Sequence, residues 1–361
     1  MYNRIKGSME GSILVNFAAL IIILAGLIYS KAIIAPFLLA LFISIICIQP
    51  ITWLEKKKIP RGIALLIVLL GMIVLFLGFA FVIGGTISSF SNNLSKYEDS
   101  LTTMKNDFIG SMNEQGWKIQ SDQLSNLIQP TKIFEYTASV LNKLVNMVGN
   151  TFLIFLIVVF ILLEFGSFSI KTMAVRSESN KTIPYFSTIT QNIRHYLGIK
   201  TMLCIAVGFL IYIALRIIGV DYPLLWALIA ALMNYIPNIG SIIATIPTVL
   251  FALIQLGPGG ALWTLISSLV IHNVLGNFIE PRIMGRGLGL STLVVFLSLL
   301  FWGFVFGLVG MFLSVPFTMA IKIILEQNEK TKWIAILLGT PADAKAYLEK
   351  RQTGERIRNE E

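Results

Sequence analysis

The sequence predicts an all-α integral membrane protein. It should have about eight membrane segments, some of them broken or re-entrant, and a small extramembrane helical segment. Three observations carry this reading. The 361-residue chain is 56% hydrophobic and 13% charged, whereas soluble domains are about 25% charged. Its apolar residues fall in runs of the length a helix needs to cross the hydrocarbon core, about 20 residues. Its net charge of +9 gathers in short segments between those runs, as membrane orientation requires. The basic residues form no aromatic-interleaved stripe of the kind that would suit a nucleic acid.

Taken in order, the apolar runs cover about 12–29, 32–53, 63–88, 149–166, 196–219, 223–256, 260–279 and 288–325. Arg4 and Lys6 precede the first run, but no small-residue cleavage site follows it, so an uncleaved first span is expected. The first two runs are joined only by a tight connection near Ser30-Lys31. The stretch "LLWALIAALMNYIPNIGSIIATIPTVLFALIQ" (224–255) is interrupted by Pro237, Gly240 and Pro247. The 35-residue stretch 291–325 holds Gly303, Gly307, Gly310 and Pro316. As one helix it would reach about 52 Å, too long for a core of about 30 Å. A helical hairpin, or a re-entrant segment followed by a span, fits it better. Gly303, Gly307 and Gly310, at spacings of four and three, suggest one small helical face for close packing.

Charge orients these segments. "EKKKIPR" (55–61) is strongly basic and reads as cytoplasmic, with the N-terminus also inside. Residues 92–148 carry five lysines and six acids, no basic bias, and are assigned outside. Residues 167–200 carry Lys171, Arg176, Lys181, Arg194 and Lys200 against Glu178 and read as inside. The C-terminal tail follows inside. The resulting divisions are N-terminal membrane helices (1–91), the extramembrane helical segment (92–148), a membrane transport core (149–326) and a cytoplasmic tail (327–361).

From Thr201 to Ile321 the chain has five formal charges: Arg216, Asp221, Glu280, Arg282 and Arg286. Three of them lie in "EPRIMGR" (280–286). Asn273, Asn277 and Glu280 recur at i, i+4 and i+7, one helical face. A charge at mid-bilayer costs about 2.5–3.5 kcal/mol on insertion scales, so Glu280 should face protein or water. Arg282 or Arg286 is its expected partner. The competing reading is a cytoplasmic-edge loop with its charges in the headgroups. In "NYIPNIG" (234–240), Pro237 removes a backbone donor and Gly240 permits conformations other residues avoid. Hydrocarbon cannot satisfy a broken helix, so Asn234, Tyr235 and Asn238 either cap the freed backbone or line a solute path. His272 is either a titratable group of a proton-coupled transporter or a hydrogen-bonded packing residue. Cys47 and Cys204 lie in apolar runs without metal-ligand or redox spacing. The sequence holds no G-x-S-x-G, H-E-x-x-H or phosphate loop, so neither an enzyme nor a cofactor is expected.

"LMNYIPNIG" (232–240), "NFIEPRIMGRGLGLSTLVVFLSLLFWG" (277–303) and "GMFLSVPFTMAIKIILEQ" (310–327), with "IIAPFLLALFISII" (33–46) and "IPR" (59–61), resemble the autoinducer-2 exporter family, the PerM-like permeases. The likeness covers nearly the whole chain and is strongest after residue 230. It implies a bacterial inner-membrane protein that moves a small polar solute such as the quorum-sensing signal autoinducer-2. It also implies homo-oligomers, a pentamer among them. Some members are described as sodium or lithium/proton antiporters, so the substrate does not follow from the family. The expected path residues are Asn234, Tyr235, Pro237, Asn238, Gly240, Asn273, Asn277, Glu280, Arg282 and Arg286. The lipid bilayer and the solute, autoinducer-2 or a cation, are the expected partners; nucleic acid is not. Two other readings stand beside export: cation/proton antiport through Glu280, and a membrane scaffold without transport.

Overall fold

The computed structural model describes residues 21–92, 151–178, 184–284, 289–345 and 347–349, with isolated positions elsewhere. Every regular element among the described residues is helical: α1 (Lys31–Lys56), α2 (Arg61–Asn92), α3 (Thr151–Glu178), α4 (Pro184–Ile218), α5 (Pro223–Met233), α6 (Ile239–Asn273), a π-helix (Val274–Ile279), α7 (Glu280–Met284), α8 (Thr292–Phe306), α9 (Leu308–Glu326) and α10 (Lys332–Leu338). Among the described residues, five helical stretches are long and apolar enough to cross a membrane: Lys31–Lys56, Arg61–Thr86, Ile189–Ile218, Ile239–Met284 and Leu308–Glu326. Three shorter apolar helices accompany them. The chain is an all-α, multi-pass membrane protein. The extramembrane segment expected at 92–148 falls almost wholly outside the described residues.

Two expectations change at the N-terminal side. Residues 21–29 are helical, and Ser30 alone separates them from α1. Helical bonds meet there from both sides, from Ser30 N to Gly26 O (2.9 Å) and from Ile34 N to Ser30 O (3.0 Å). The expected tight connection is therefore a continuation of the helix, because Ser30 lacks the positive φ that turns the chain elsewhere. The loop expected at 167–200 is mostly helix, since α3 runs to Glu178 and α4 begins at Pro184.

The chain's contacts sort it into two units. One holds residues 49–152 and 197–285. In it, α5 and the first part of α6 form a hairpin with "NYIPNIG" at its tip. Gln255 closes the opposite end: its Oε1 accepts from the Asp221 amide (2.7 Å) and its Nε2 donates to Gly219 O (3.1 Å). Phe251 packs on Tyr222 and Trp226, with ring centroids 5.8 and 5.4 Å apart. The stretch thus leaves one level and returns to it, which is a re-entrant segment rather than a kinked span. The chain turns again at Gly257, whose φ of 76° and ψ of −171° suit glycine. From Pro258 to Met284, at 1.5 Å per residue, it rises about 40 Å, enough to cross.

The other unit holds residues 1–48, 153–196 and 286–361. Its 292–326 segment is the hairpin expected from length: α8 and α9 meet at Gly307, where φ is 66°. The glycines do not share one face of a rod, as the spacing suggested. Gly307 makes the turn, while Gly303 lies against Met311 and Gly310 against the carbonyl of Trp302. Trp302 joins the arms by donating to Thr318 Oγ1 (3.3 Å) and packing edge-on to Phe317 at 4.9 Å. Beyond the hairpin, Lys322 reaches Asp343 Oδ2 at 3.5 Å.

Candidate functional site

The backbone turns at the tip of the re-entrant hairpin close on one another without a cap from Asn238. Tyr235 N bonds Leu232 O (3.2 Å), Ile236 N bonds Met233 O (2.9 Å), and Gly240 N bonds Ile236 O (3.2 Å). These tight turns satisfy the backbone that Pro237 frees, and Asn238 makes no side-chain cap. Asn238 instead adopts a φ of 60°, in the region L-residues avoid. Gly240 is required on packing grounds, because a Cβ there would lie 1.8 Å from Met233 O. Two side chains fasten the tip to α4: Tyr235 donates to Thr201 Oγ1 (2.9 Å), and Asn234 Nδ2 contacts Cys204 Sγ (3.5 Å).

This anchoring leaves a cavity of about 410 Å³ between the tip, α4 and the second arm of α6. Lys200, Asn234, Pro237, Asn238, Ser241 and Thr245 line it on one side, and His272, Asn273, Asn277 and Glu280 on the other. Lys200 is 3% exposed, and its ammonium lies 2.8 and 2.9 Å from the two Glu280 carboxylate oxygens. Neither charge would be tolerated alone at this depth. A buried ion is stable only when paired and hydrogen-bonded. The π-helix precedes Glu280 directly, and Asn277 Nδ2 donates to Asn273 Oδ1 (2.8 Å) across it. π-turns inside α-helices are frequent at functional sites.

Of the residues singled out by sequence, Asn234, Pro237, Asn238, Asn273, Asn277 and Glu280 meet at this cavity. Tyr235 and Gly240 hold the tip that forms its wall. Arg282 is exposed on α7, and Arg286 lies outside the described residues. The expected pairing of Glu280 with Arg282 is corrected: both carboxylate oxygens are on Lys200, while the expectation for Arg286 lies outside the described residues. The sequence counts Lys200 among the cytoplasmic charges of 167–200, although it lies within the apolar run 196–219, and nothing local marks it as the partner of Glu280. Both ring nitrogens of His272 are buried, with no hydrogen-bond partner among the described residues. Cys47 and Cys204 are buried, and neither forms a disulfide. No cluster of three metal-ligating side chains occurs among the described residues.

Residues 17–330 match the sequence pattern of the AI-2E family transporters. The chain belongs to the AI-2E transporter family. It is 38% identical to a putative transport protein of Haemophilus influenzae, over 92% of this chain and 97% of that one. It is 36% identical to the AI-2 transport protein TqsA of Escherichia coli, over 90% of this chain and 95% of that one. The putative transport protein YhhT of Escherichia coli is 32% identical over 91% and 94%. Membership of the AI-2E family makes the chain a membrane transport protein, which removes the scaffold reading. The match takes in the re-entrant hairpin, Lys200, Glu280 and the whole 292–326 hairpin.

Proposed function

We propose that this protein passes a small polar solute, the quorum-sensing signal autoinducer-2, through the cavity walled by Lys200, Glu280 and the "NYIPNIG" tip. The observation that carries this reading is the buried Lys200–Glu280 pair at an amide-rich cavity of about 410 Å³, in a chain 36% identical to a protein named for AI-2 transport. The two charges cancel, so the lining suits a neutral, hydrogen-bonding solute. The path residues expected from sequence act here with Lys200 added: Asn234, Asn238, Asn273 and Asn277 exchange hydrogen bonds with the solute, and the ion pair forms the constriction. Family membership supports a bacterial inner-membrane location, and the basic 55–61 loop supports a cytoplasmic side for that loop and for the C-terminal segment. Lys200 lies 16 residues before Arg216, about 24 Å along a helix, which sets the constriction near the middle of α4 (Pro184–Ile218), on the cytoplasmic side of the bilayer centre. Assembly into homo-oligomers, a pentamer among them, belongs to the same proposal.

Cation/proton antiport is the second reading, because Glu280 is a carboxylate inside the membrane region. Its engagement with Lys200 speaks against it: a cation would have to displace an ammonium already bound to both oxygens. Proteoliposomes separate the two. Saturable autoinducer-2 flux without sodium-driven proton movement supports the solute reading. Sodium-driven proton movement without autoinducer-2 flux establishes antiport.

A further inference from the structure

The backbone at Asn238 is strained where it meets the cavity. Ile239 N donates to Pro237 O at 2.6 Å, which closes a tight turn around Asn238. The φ of 60° and ψ of −46° there are those of the γ-turn with positive φ, a rare and strained conformation. Asparagine tolerates positive φ mainly in the left-handed helical region, where ψ is positive too. Glycine would form this turn more cheaply, and the chain does spend glycine on its sharp turns at Gly257 and Gly307. Strained conformations persist only where the surroundings impose them, and they gather at ligand clamps. The surroundings here do so. Asn234 and Tyr235 fasten the chain before the turn to α4, Gly240 packs on Met233 O after it, and Ser241 Oγ donates to Asn238 O (3.1 Å).

The Asn238 side chain is not what holds this turn. It does not cap α6, and it is exposed on the cavity wall. The other asparagines of the wall serve the fold as well: Asn234 contacts Cys204, Asn273 donates to Leu269 O and Asn277 donates to Asn273. The strain is therefore explained by what the Asn238 amide does in the cavity. A primary amide offers donors and an acceptor without net charge. Two neighbouring hydroxyls, one donating and one accepting, match it. A carboxylate brings acceptors only and leaves the amide oxygen unmatched, while a bare cation leaves the amide N–H groups unmatched.

We propose that Asn238 is the specificity-determining residue of the path, selecting small uncharged solutes with adjacent hydroxyls over carboxylates and cations. This rests on the transport reading above and adds to it the residue that sets the selection and the chemical class it selects.

The test uses the full chain in proteoliposomes, with autoinducer-2, glycerol and lactate as probes. In the wild type, glycerol should compete with autoinducer-2 and lactate should not. Asn238→Gly keeps the turn and removes the amide. It is expected to raise KM for autoinducer-2 about tenfold, the effect of losing hydrogen bonds to a neutral partner, with the loss falling on KM more than on the maximal rate. Its thermal midpoint in detergent should rise by about 2 °C, because the strain is relieved. Asn238→Asp, close in shape but without the donors, should raise KM at least as much. An unaltered KM in the glycine variant, or a wild-type KM in the aspartate variant, overturns the inference and leaves transport standing. A glycine variant that fails to assemble, or that melts below the wild type, shows that the asparagine holds the turn and also overturns it. Competition by lactate equal to that by glycerol overturns the chemical class. Absence of autoinducer-2 flux in the wild type overturns the transport reading as well.

Discussion

Lys200 and Glu280 are eighty residues apart in sequence, and their charged groups meet at 2.8 and 2.9 Å inside the membrane region. The pair ties α4 to the crossing that ends at α7. It also places opposite charges where the re-entrant tip approaches. Removing one partner strands the other: Glu280→Gln should destabilise the protein by about 3–5 kcal/mol, as broken buried pairs do. Lys200→Gln with Glu280→Gln, which leaves no buried charge, should recover most of that loss. A double-mutant cycle on thermal midpoints in detergent checks the coupling. Additive losses would show that the pair does not form.

The tip of the re-entrant hairpin depends on one absent methyl group. A Cβ at Gly240 would lie 1.8 Å from Met233 O, whereas one at Gly276 would meet nothing within 4 Å. Gly240→Ala should therefore abolish stable assembly, a loss above about 4 kcal/mol, while Gly276→Ala should leave assembly unchanged. Size-exclusion profiles of the two purified variants decide it.

The 292–326 hairpin makes a similar prediction with a smaller effect. Trp302 donates to Thr318 Oγ1 at 3.3 Å and also stacks on Phe306 and Phe317. Thr318→Val should cost about 0.6 kcal/mol, the average for hydrogen bonds within membranes. Trp302→Ala removes the packing too and should cost about 3–5 kcal/mol. Thermal unfolding of both variants measures the ratio.

Asp343, beyond the last membrane helix, supplies a pH dependence. Burial raises its carboxyl, but hydrogen bonds from the Thr340 backbone and side chain and the nearby Lys322 charge outweigh that and hold it below the ordinary aspartate value of 3.8. A carboxyl with a depressed folded-state value stabilises the fold above its unfolded value, and that contribution is lost as pH falls through the folded one. The attachment of residues 332–349 should thus be constant from pH 7 to about pH 5 and weaken below about pH 4. Asp343→Asn should lack this acid-sensitive step. Hydrogen exchange across the segment, measured against pH, reports both.

Much of this arrangement was legible because breaks in an apolar run are chemically loud. Pro237 with Gly240, and Gly307 in a stretch too long to be one helix, mark both hairpin turns from composition and length alone. Asn273, Asn277 and Glu280 share the cavity because helical periodicity survives the π-turn between them. The partner of Glu280 was not legible. A lysine at the edge of an apolar run looks the same whether it snorkels to the headgroups or turns inward, and only tertiary contact decides. Lys322 illustrates the same ambiguity: it too borders the nearly uncharged stretch, and it is 8% exposed. The return of the 223–256 segment to its starting level was equally hidden, since it rests on Gln255 meeting Gly219 and Asp221 across more than thirty residues.

The most direct test of the central claim is the initial rate of autoinducer-2 flux in proteoliposomes for wild type and Glu280→Gln, at matched amounts of folded protein. The account predicts saturable flux in the wild type, at least a tenfold loss in the variant, and no sodium-driven proton movement in either. Flux unchanged by the substitution, or sodium-driven proton movement that Glu280→Gln abolishes, would contradict it.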